Sequence, residues 1–435
     1  MQVNSVEEVV ANSRLSRMHV TILAWSMFLI MFDGFDLSIL GIVIPILHEQ
    51  WGIAIPTLGA VASLTLIGSL IGAFLAGVLA DRFGRKKILV YCVLLFSLFT
   101  LCNAFATTIT FFAVCRFVAG IGLGGIPPLV VALTTEYAPK KWRNRFVGIM
   151  FSGYSLGGIA VALLGIFLMP HYGWQSLFII GALPLILLPI LVRRLPESLP
   201  YLAQHEPEKM KGIVRKLNQD VAEDDMLEWR EVSKEQQQPI KALFTKERRR
   251  ITLSFWVICF MGLLLVYGLS TWLPQLMRTE GHGITSSISF ICALNIGAIL
   301  GSIFGGMLAD RIGSRLVLIT LYTLGAICFI LLAFHFSLMT LYVLVAIGGA
   351  ASIGAQNLNN ACNASYYDAS CRGTALGAAL SVGRLGAIVG PLIGGWLLAA
   401  DVSNYWNYIL FAIPACIAAM TYMYMPKQQE DIHHA

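Results

Sequence analysis

Uncharged, largely apolar windows of about 20 residues recur along this 435-residue chain, and about 20 residues is the helix length that crosses a hydrocarbon core of roughly 30 Å. A soluble core would not need so many of them. The composition agrees: 57% of residues are hydrophobic and 12% charged, where ordinary soluble domains carry about a quarter charged. Twelve spans are expected, beginning near Val20, Pro56, Ile88, Ile109, Phe146, Trp174, Ile251, Ser286, Leu316, Leu338, Thr374 and Tyr405. The polar stretch Met1 to His19 runs straight into the first span without a small-residue cleavage site, so that span is expected to stay in the membrane. Arg193 to Arg250 is polar and charged and reads as a helical linker. The expected organisation is a tail (1–19), a six-helix bundle (20–193), a linker (194–250), a second bundle (251–425) and a tail (426–435).

All but three of the 30 Lys and Arg residues fall in the amino tail, in the loops after the second, fourth, eighth and tenth spans, in the linker or in the carboxyl tail. The exceptions are Arg278, in a loop of the opposite set, and Arg116 and Arg384, inside spans. Basic loops stay in the cytoplasm, so both termini and the linker are expected there. The net charge of +6 follows from this asymmetry, and nucleic acid is not an expected partner. The nine cysteines, Cys371 among them, are scattered without the paired spacing of a disulfide framework or zinc site. His48, His171, His282 and His335 stand alone near span ends, and neither a phosphate loop nor a nucleophile–base pair is present. No metal, cofactor or enzymatic activity is therefore expected.

The two halves of the chain repeat each other, a frequent signature of transporters. Gly77-Val-Leu-Ala-Asp81-Arg82-Phe-Gly84-Arg85-Lys86 follows the second span, and Gly306-Met-Leu-Ala-Asp310-Arg311-Ile-Gly313-Ser-Arg315 follows the eighth at identical spacing. After the fourth span Tyr137, Arg143 and Gly148 match Tyr366, Arg372 and Gly377 after the tenth, again at equal intervals. The chain reads as a duplicated six-helix unit.

Those paired Gly-x-x-x-Asp-Arg-x-Gly loops, with twelve spans and a long central linker, resemble the major facilitator superfamily over nearly the whole chain. Further matches are Arg116-x-x-x-Gly120-x-Gly122-x-Gly124 and Pro196-Glu197-Ser198. Asp33-Gly34-Phe35-Asp36 in the first span resembles the aromatic acid:proton symporter family, which imports benzoate-type and hydroxybenzoate-type acids into bacteria. The resemblance implies an all-α integral membrane fold of twelve transmembrane helices in two pseudo-symmetric six-helix bundles, placed in the bacterial inner membrane. It implies alternating access around a midplane site, with a small aromatic carboxylate, protons and the lipid bilayer as partners, and a monomer as the working form.

Asp33 and Asp36 lie near the middle of the first span, and their i, i+3 spacing puts them on one side of a helix. A charge at that depth costs about 2.5 kcal/mol or more, so such residues face cavities and serve transport. Burial and mutual repulsion favour holding one proton, which makes the pair a candidate proton-coupling site. The alternative is a hydrogen-bonded structural pair in which Gly34 permits close packing. Arg384 lies about ten residues, or about 15 Å, into the eleventh span, and no acidic residue of the second half lies at comparable depth. Its planar guanidinium suits a substrate carboxylate; the alternative is an internal ion pair. Arg116, early in the fourth span, is a second substrate-binding candidate and reads either as a partner of Asp33 or Asp36 or as structural.

An aromatic substrate also needs apolar walls and a few polar donors. Candidate walls are Phe32, Phe35, Tyr154, Trp272 and Tyr267, with Asn295, Gln356, Asn357 and Asn360 as donors, set against the plain alternative of core packing. Gly77, Asp81, Arg82, Gly84 and Arg85, with Asp310, Arg311, Gly313 and Arg315, are expected to gate, Asp81 and Asp310 pairing in the outward-open state with arginines of neighbouring loops such as Arg143, Arg145 and Arg372 and parting when the inside opens; the alternative is that these basic loops only fix topology. Gly386-x-x-x-Gly390-Pro391 reads as close helix packing with a hinge. Besides an aromatic acid, the residues leave open nicotinate, a dicarboxylate, a sugar, or a membrane sensor that transports nothing.

Overall fold

In a bilayer each backbone N–H and C=O must find its partner inside the protein, which leaves helices as the economical way across. A computed structural model, which describes residues 3–217, 226–228, 243–245, 248–334, 336–367, 372–400 and 404–426, is accordingly almost entirely helical. Among the described residues, twelve helices are long and apolar enough to cross a membrane, and each begins within three residues of its expected start. The chain is a multi-pass membrane protein. His335, Cys371 and the tail beyond Pro426 lie outside the described residues, as does much of the linker after Leu217.

The amino tail forms β1 (Val3–Ser5) and α1 (Val6–Ala11). The first five spans are α2 (Arg17–Trp51), α3 (Ile55–Phe83), α4 (Arg85–Asn103), α5 (Ile109–Tyr137) and α6 (Arg143–Tyr172). The sixth is broken into α7 (Gln175–Gly181) and α8 (Leu183–Arg194), because Pro184 in the first turn of α8 has no N–H to continue the ladder. The linker supplies α9 (Leu199–His205), α10 (Pro207–Leu217) and β2 (Met226–Glu228). Spans seven to nine are α11 (Arg249–Thr279), α12 (Ile284–Ile312) and α13 (Ser314–Leu331). The tenth runs from α14 (Leu338–Gly349) through a π turn, Ala350–Gly354, into α15 (Ala355–Ser365), and the last two are α16 (Arg372–Ala399) and α17 (Asn404–Tyr424).

By contacts the chain divides into two compact units whose boundaries cut α2, α3, α6 and α7 within the helices. The first unit holds residues 1–35, 67–157 and 178–233. Its buried core joins span residues such as Phe96, Leu129 and Met150 to Val6, Val9 and Val10 of α1 and Met210, Val214 and Leu217 of α10. The amino tail is thus a folded part of this unit. β1 pairs in parallel with β2, Val3 opposite Met226, and the Lys140 N–H donates to the Ala11 carbonyl at 3.0 Å. The second unit holds residues 36–66, 158–177 and 234–435. In both, large apolar side chains such as Phe74, Ile186, Met339 and Trp396 are exposed, as lipid-facing surfaces must be.

Candidate functional site

The motif Asp33-Gly34-Phe35-Asp36 lies within the unbroken helix α2. In the first unit, a side chain at Gly34 would place its Cβ 1.9 Å from the Tyr154 carbonyl oxygen, so glycine is what lets α2 and α6 touch backbone to backbone. That part of the structural alternative holds. An aromatic stripe runs along another side of α2: Trp25 to Phe28, Phe28 to Phe32 and Phe32 to Phe35 have ring centroids 5.6, 4.9 and 5.7 Å apart. At about 100° per residue, Asp33 falls away from both the stripe and the face packed on α6. Asp33 is half-buried, whereas Asp36, in the second unit, is 2% exposed. The two carboxylates therefore differ in their access to solvent.

Phe35 is 2% exposed, and its ring edge packs near Gly181 and the Thr100 methyl region; Phe32 is likewise buried. These rings are core in this structure. Tyr154 keeps partial exposure. Arg116 is 1% exposed in the glycine-rich stretch of α5, and an arginine so placed has to be compensated within the fold.

The second unit carries the other candidates. Arg384 is half-buried on α16, between two glycines that seat α16 on α11: Gly383 lies against Cys259 and Leu263, and Gly386 against Phe260. Trp272 is fully buried, its Nε1–H donates to the Pro391 carbonyl at 2.9 Å, and its ring fills the notch left by Gly59, Gly394 and Gly395. It acts here as a packing wedge. Beside it the Ser63 hydroxyl donates to the Ile388 carbonyl at 2.7 Å, and Arg278 pairs with Glu49. Tyr267 remains half-buried.

The four candidate amides divide by environment. Asn295 is buried, donates to the Ile291 carbonyl at 2.9 Å and packs against Gly158. Asn357 reaches Ser302 at 3.2 Å, and Gln356 donates to Asn360 at 3.3 Å. Sequence reasoning missed the fully buried Asn359, whose Nδ2 donates to Cys259 at 3.3 Å and whose Oδ1 accepts from the Tyr422 hydroxyl. Its signal was the run of amides at 356, 357, 359, 360 and 363 in an otherwise apolar span.

In the first loop, Arg85 pairs with Glu136, with Asp81 and Glu197 near enough to interact electrostatically. The pairing of Asp81 with Arg143 or Arg145 that is expected of the outward-open state is not formed among the described residues of this structure: Asp81 and Arg143 are exposed, and the Arg145 guanidinium lies 5.0 Å from the Trp142 ring centre. In the second loop, Asp310 and Arg311 are exposed, and Arg315 donates to the Tyr422 and Met423 carbonyls at 2.9 and 2.8 Å. Gly77 is exposed on α3, and Arg372 opens α16. Among the described residues no group of three or more His, Cys, Asp or Glu is placed to hold a metal ion.

Residues 26–303 and 285–434 match the family described as the Major Facilitator Superfamily. The benzoate transport protein of Acinetobacter baylyi is 40% identical over 96% of this chain and 91% of its own length. The gallate transporter of Pseudomonas putida is 35% identical over 95% and 93%. Among solved structures, the inward-open xylose transporter XylE from E. coli superposes with a TM-score of 0.75 at 18% identity, covering 94% of this chain and 97% of the other; a likeness so distant in sequence concerns the fold alone.

Proposed function

We propose that this chain, which belongs to the Major Facilitator Superfamily, is a proton-coupled importer of a small aromatic carboxylate of the benzoate or hydroxybenzoate kind. The observation that carries the reading is the 40% identity with a benzoate transport protein along almost the full length of both chains. The site residues supply a matching chemistry. Arg384, half-buried on a glycine-seated helix, is the anchor for the substrate carboxylate, since partial desolvation strengthens a forked, charge-assisted grip. Tyr154 and Tyr267, which are only half-buried, are the walls for the aromatic guest in this proposal.

Asp33 and Asp36 are the proton-coupling pair in this proposal. The half-buried Asp33 exchanges protons with the aqueous path, while the buried Asp36 disfavours a second charge close by. Arg116 is their counter-ion. By the distribution of Lys and Arg, both termini and the linker lie in the cytoplasm of a bacterium and the chain spans its inner membrane. The contacts of Ser63 with Ile388 and of Trp272 with Gly59 then form the closed seal on the outer side, which must part once in each cycle of alternating access. The protein works as a monomer.

Uptake into proteoliposomes with an imposed inward proton gradient tests the proposal. Labelled benzoate or hydroxybenzoate should accumulate, and unlabelled aromatic acids should compete while xylose does not. Asp33→Asn and Asp36→Asn should each abolish uphill accumulation. Arg384→Lys should raise the half-saturating concentration at least about tenfold, or about 1.4 kcal/mol, because a point charge cannot replace the fork. Accumulation without a gradient, or normal affinity in Arg384→Lys, would remove the corresponding assignment.

A further inference from the structure

A cavity of about 570 Å³ in the first unit lies where several spans end. Met18 comes from the first turn of α2, Phe83 from the last turn of α3, Lys86 and Lys87 from the start of α4, and Arg193 and Arg194 from the end of α8. The remaining wall is the linker. One face of α10 presents Lys209, Ile213 and Lys216 at helical spacing to the cavity, while Met210, Val214 and Leu217 on its other face are buried in the core. Six cations therefore share one hollow with two carboxylates, Glu197 and Glu206.

Both carboxylates are already engaged. The Oε1 of Glu197 accepts the N–H groups of Lys86 and Ser198 at 2.9 Å each, and Glu206 pairs with Lys209. The cavity keeps an excess of positive charge that fixing topology does not require, since topology depends on the number of basic residues in a loop and not on their convergence. Its volume suits a polar headgroup. Its rim leads onto lipid-facing surface: from Arg194, exposed Ile190 and Ile186 follow at helical spacing along α8, and from Phe83, exposed Leu79 and Leu75 follow along α3. A soluble anion would gain nothing from those apolar tracks, whereas acyl chains would lie on them.

We infer that this cavity binds the headgroup of an anionic phospholipid, whose phosphate is held by Lys87, Arg193, Arg194 and Lys216 and whose acyl chains follow the exposed faces of α3 and α8. Basic pockets at the ends of spans recognise such headgroups by charge and by multiple donors. The proposal is independent of the transported substrate.

Native mass spectrometry of the full-length protein, titrated with phosphatidylglycerol or with phosphatidylcholine of the same chains, tests it. Phosphatidylglycerol should bind at least about tenfold more tightly. That preference should vanish in a variant carrying Lys87→Gln, Arg193→Gln, Arg194→Gln and Lys216→Gln. The pair Lys87→Gln and Lys216→Gln, both at exposed positions, should lower it severalfold if the fourfold variant does not fold. Neutralising Arg248, Arg249 and Arg250 to Gln should leave it unchanged. Equal binding of the two lipids, an unchanged preference in both cavity variants, or an equal loss in the Arg248–Arg250 variant would overturn the assignment. Inorganic phosphate that displaced phosphatidylglycerol at equimolar concentration would overturn the lipid as the occupant.

Discussion

The loop after the second span and the loop after the eighth are the same motif held in two different ways. Gly84 and Gly313 end their copies with φ of 94° and 90° and ψ of 144° and 139°, near a region that essentially only glycine adopts and where strain costs about 1–3 kcal/mol, so both turns need glycine for one reason. Tyr137 and Tyr366 also behave alike: each hydroxyl donates to a backbone carbonyl just beyond the last span of its half, Glu197 at 2.6 Å and Pro426 at 3.1 Å. The charges differ. In the first copy Arg85 pairs with Glu136 and the Glu197 carboxylate accepts from two backbone N–H groups. In the second copy, Ser314 and Ser365 stand in the places of Arg85 and Glu136, and Arg315 instead satisfies carbonyls at the end of α17, groups that helix geometry leaves unbonded. Both members of the ion pair are missing together. The turn and the tyrosine tether are thus the architecture of the repeat, and the ion pair is an addition that one half carries and the other folds without.

The largest effect should follow from breaking that addition on one side only. Arg85→Ser strands Glu136, whose side chain is 11% exposed, and removing one partner of a mostly buried pair costs about 3 kcal/mol. Arg315→Ala loses two hydrogen bonds to carbonyls that water can partly reach, about 1–2 kcal/mol. Apparent melting temperatures of the purified variants should rank accordingly. Combining Arg85→Ser with Glu136→Ser rebuilds the second-half pattern in the first half and should recover most of the loss. A double variant as unstable as the sum of its singles would mean that the two residues are not one coupled unit.

Glu136 was legible in principle. Laying the halves side by side shows arginine and glutamate exchanged together for serines, but only after Tyr137 and Tyr366 have fixed the register, and nothing in the first copy alone singles Glu136 out. The spans, the repeat and the two turn glycines were readable because hydropathy and spacing are properties of the chain itself. The roles of Phe35 and Trp272 were not, since an aromatic in a span looks the same whether it lines a path or fills a notch. What decides is the partner: Gly181 and Thr100 for one, Gly59, Gly394 and Gly395 for the other. The unequal access of Asp33 and Asp36 was hidden likewise, because i, i+3 spacing predicts a shared side of a helix and says nothing of the helix packed against it.

An intermediate effect separates the two glycines. Gly313→Ala should cost the backbone term alone, about 1–3 kcal/mol. Gly84→Ala should cost more, because its Cβ would fall 2.7 Å from Oε2 of Glu197 and displace a carboxylate that caps two N–H groups. Melting temperatures again give the order, and Glu197→Ala should bring Gly84→Ala close to Gly313→Ala when each is compared with its own parent. Equal losses without that change would place the Glu197 contact outside the energetics of the turn.

The smallest difference is expected at the tethers, where the two copies look most alike. Tyr137 is 1% exposed, so Tyr137→Phe leaves a carbonyl without its donor where water has little access, a cost of about 1–1.5 kcal/mol. Tyr366 is half-buried, and water can take over the Pro426 carbonyl when Tyr366→Phe removes the hydroxyl, so the loss should stay within about 0.5 kcal/mol. Both variants keep the ring, which isolates the hydroxyl from packing. If Tyr366→Phe proved as damaging as Tyr137→Phe, solvent access would not be what separates the tethers, and the two halves would differ in their loop charges and in the Glu197 contact of Gly84 but not in their tethers.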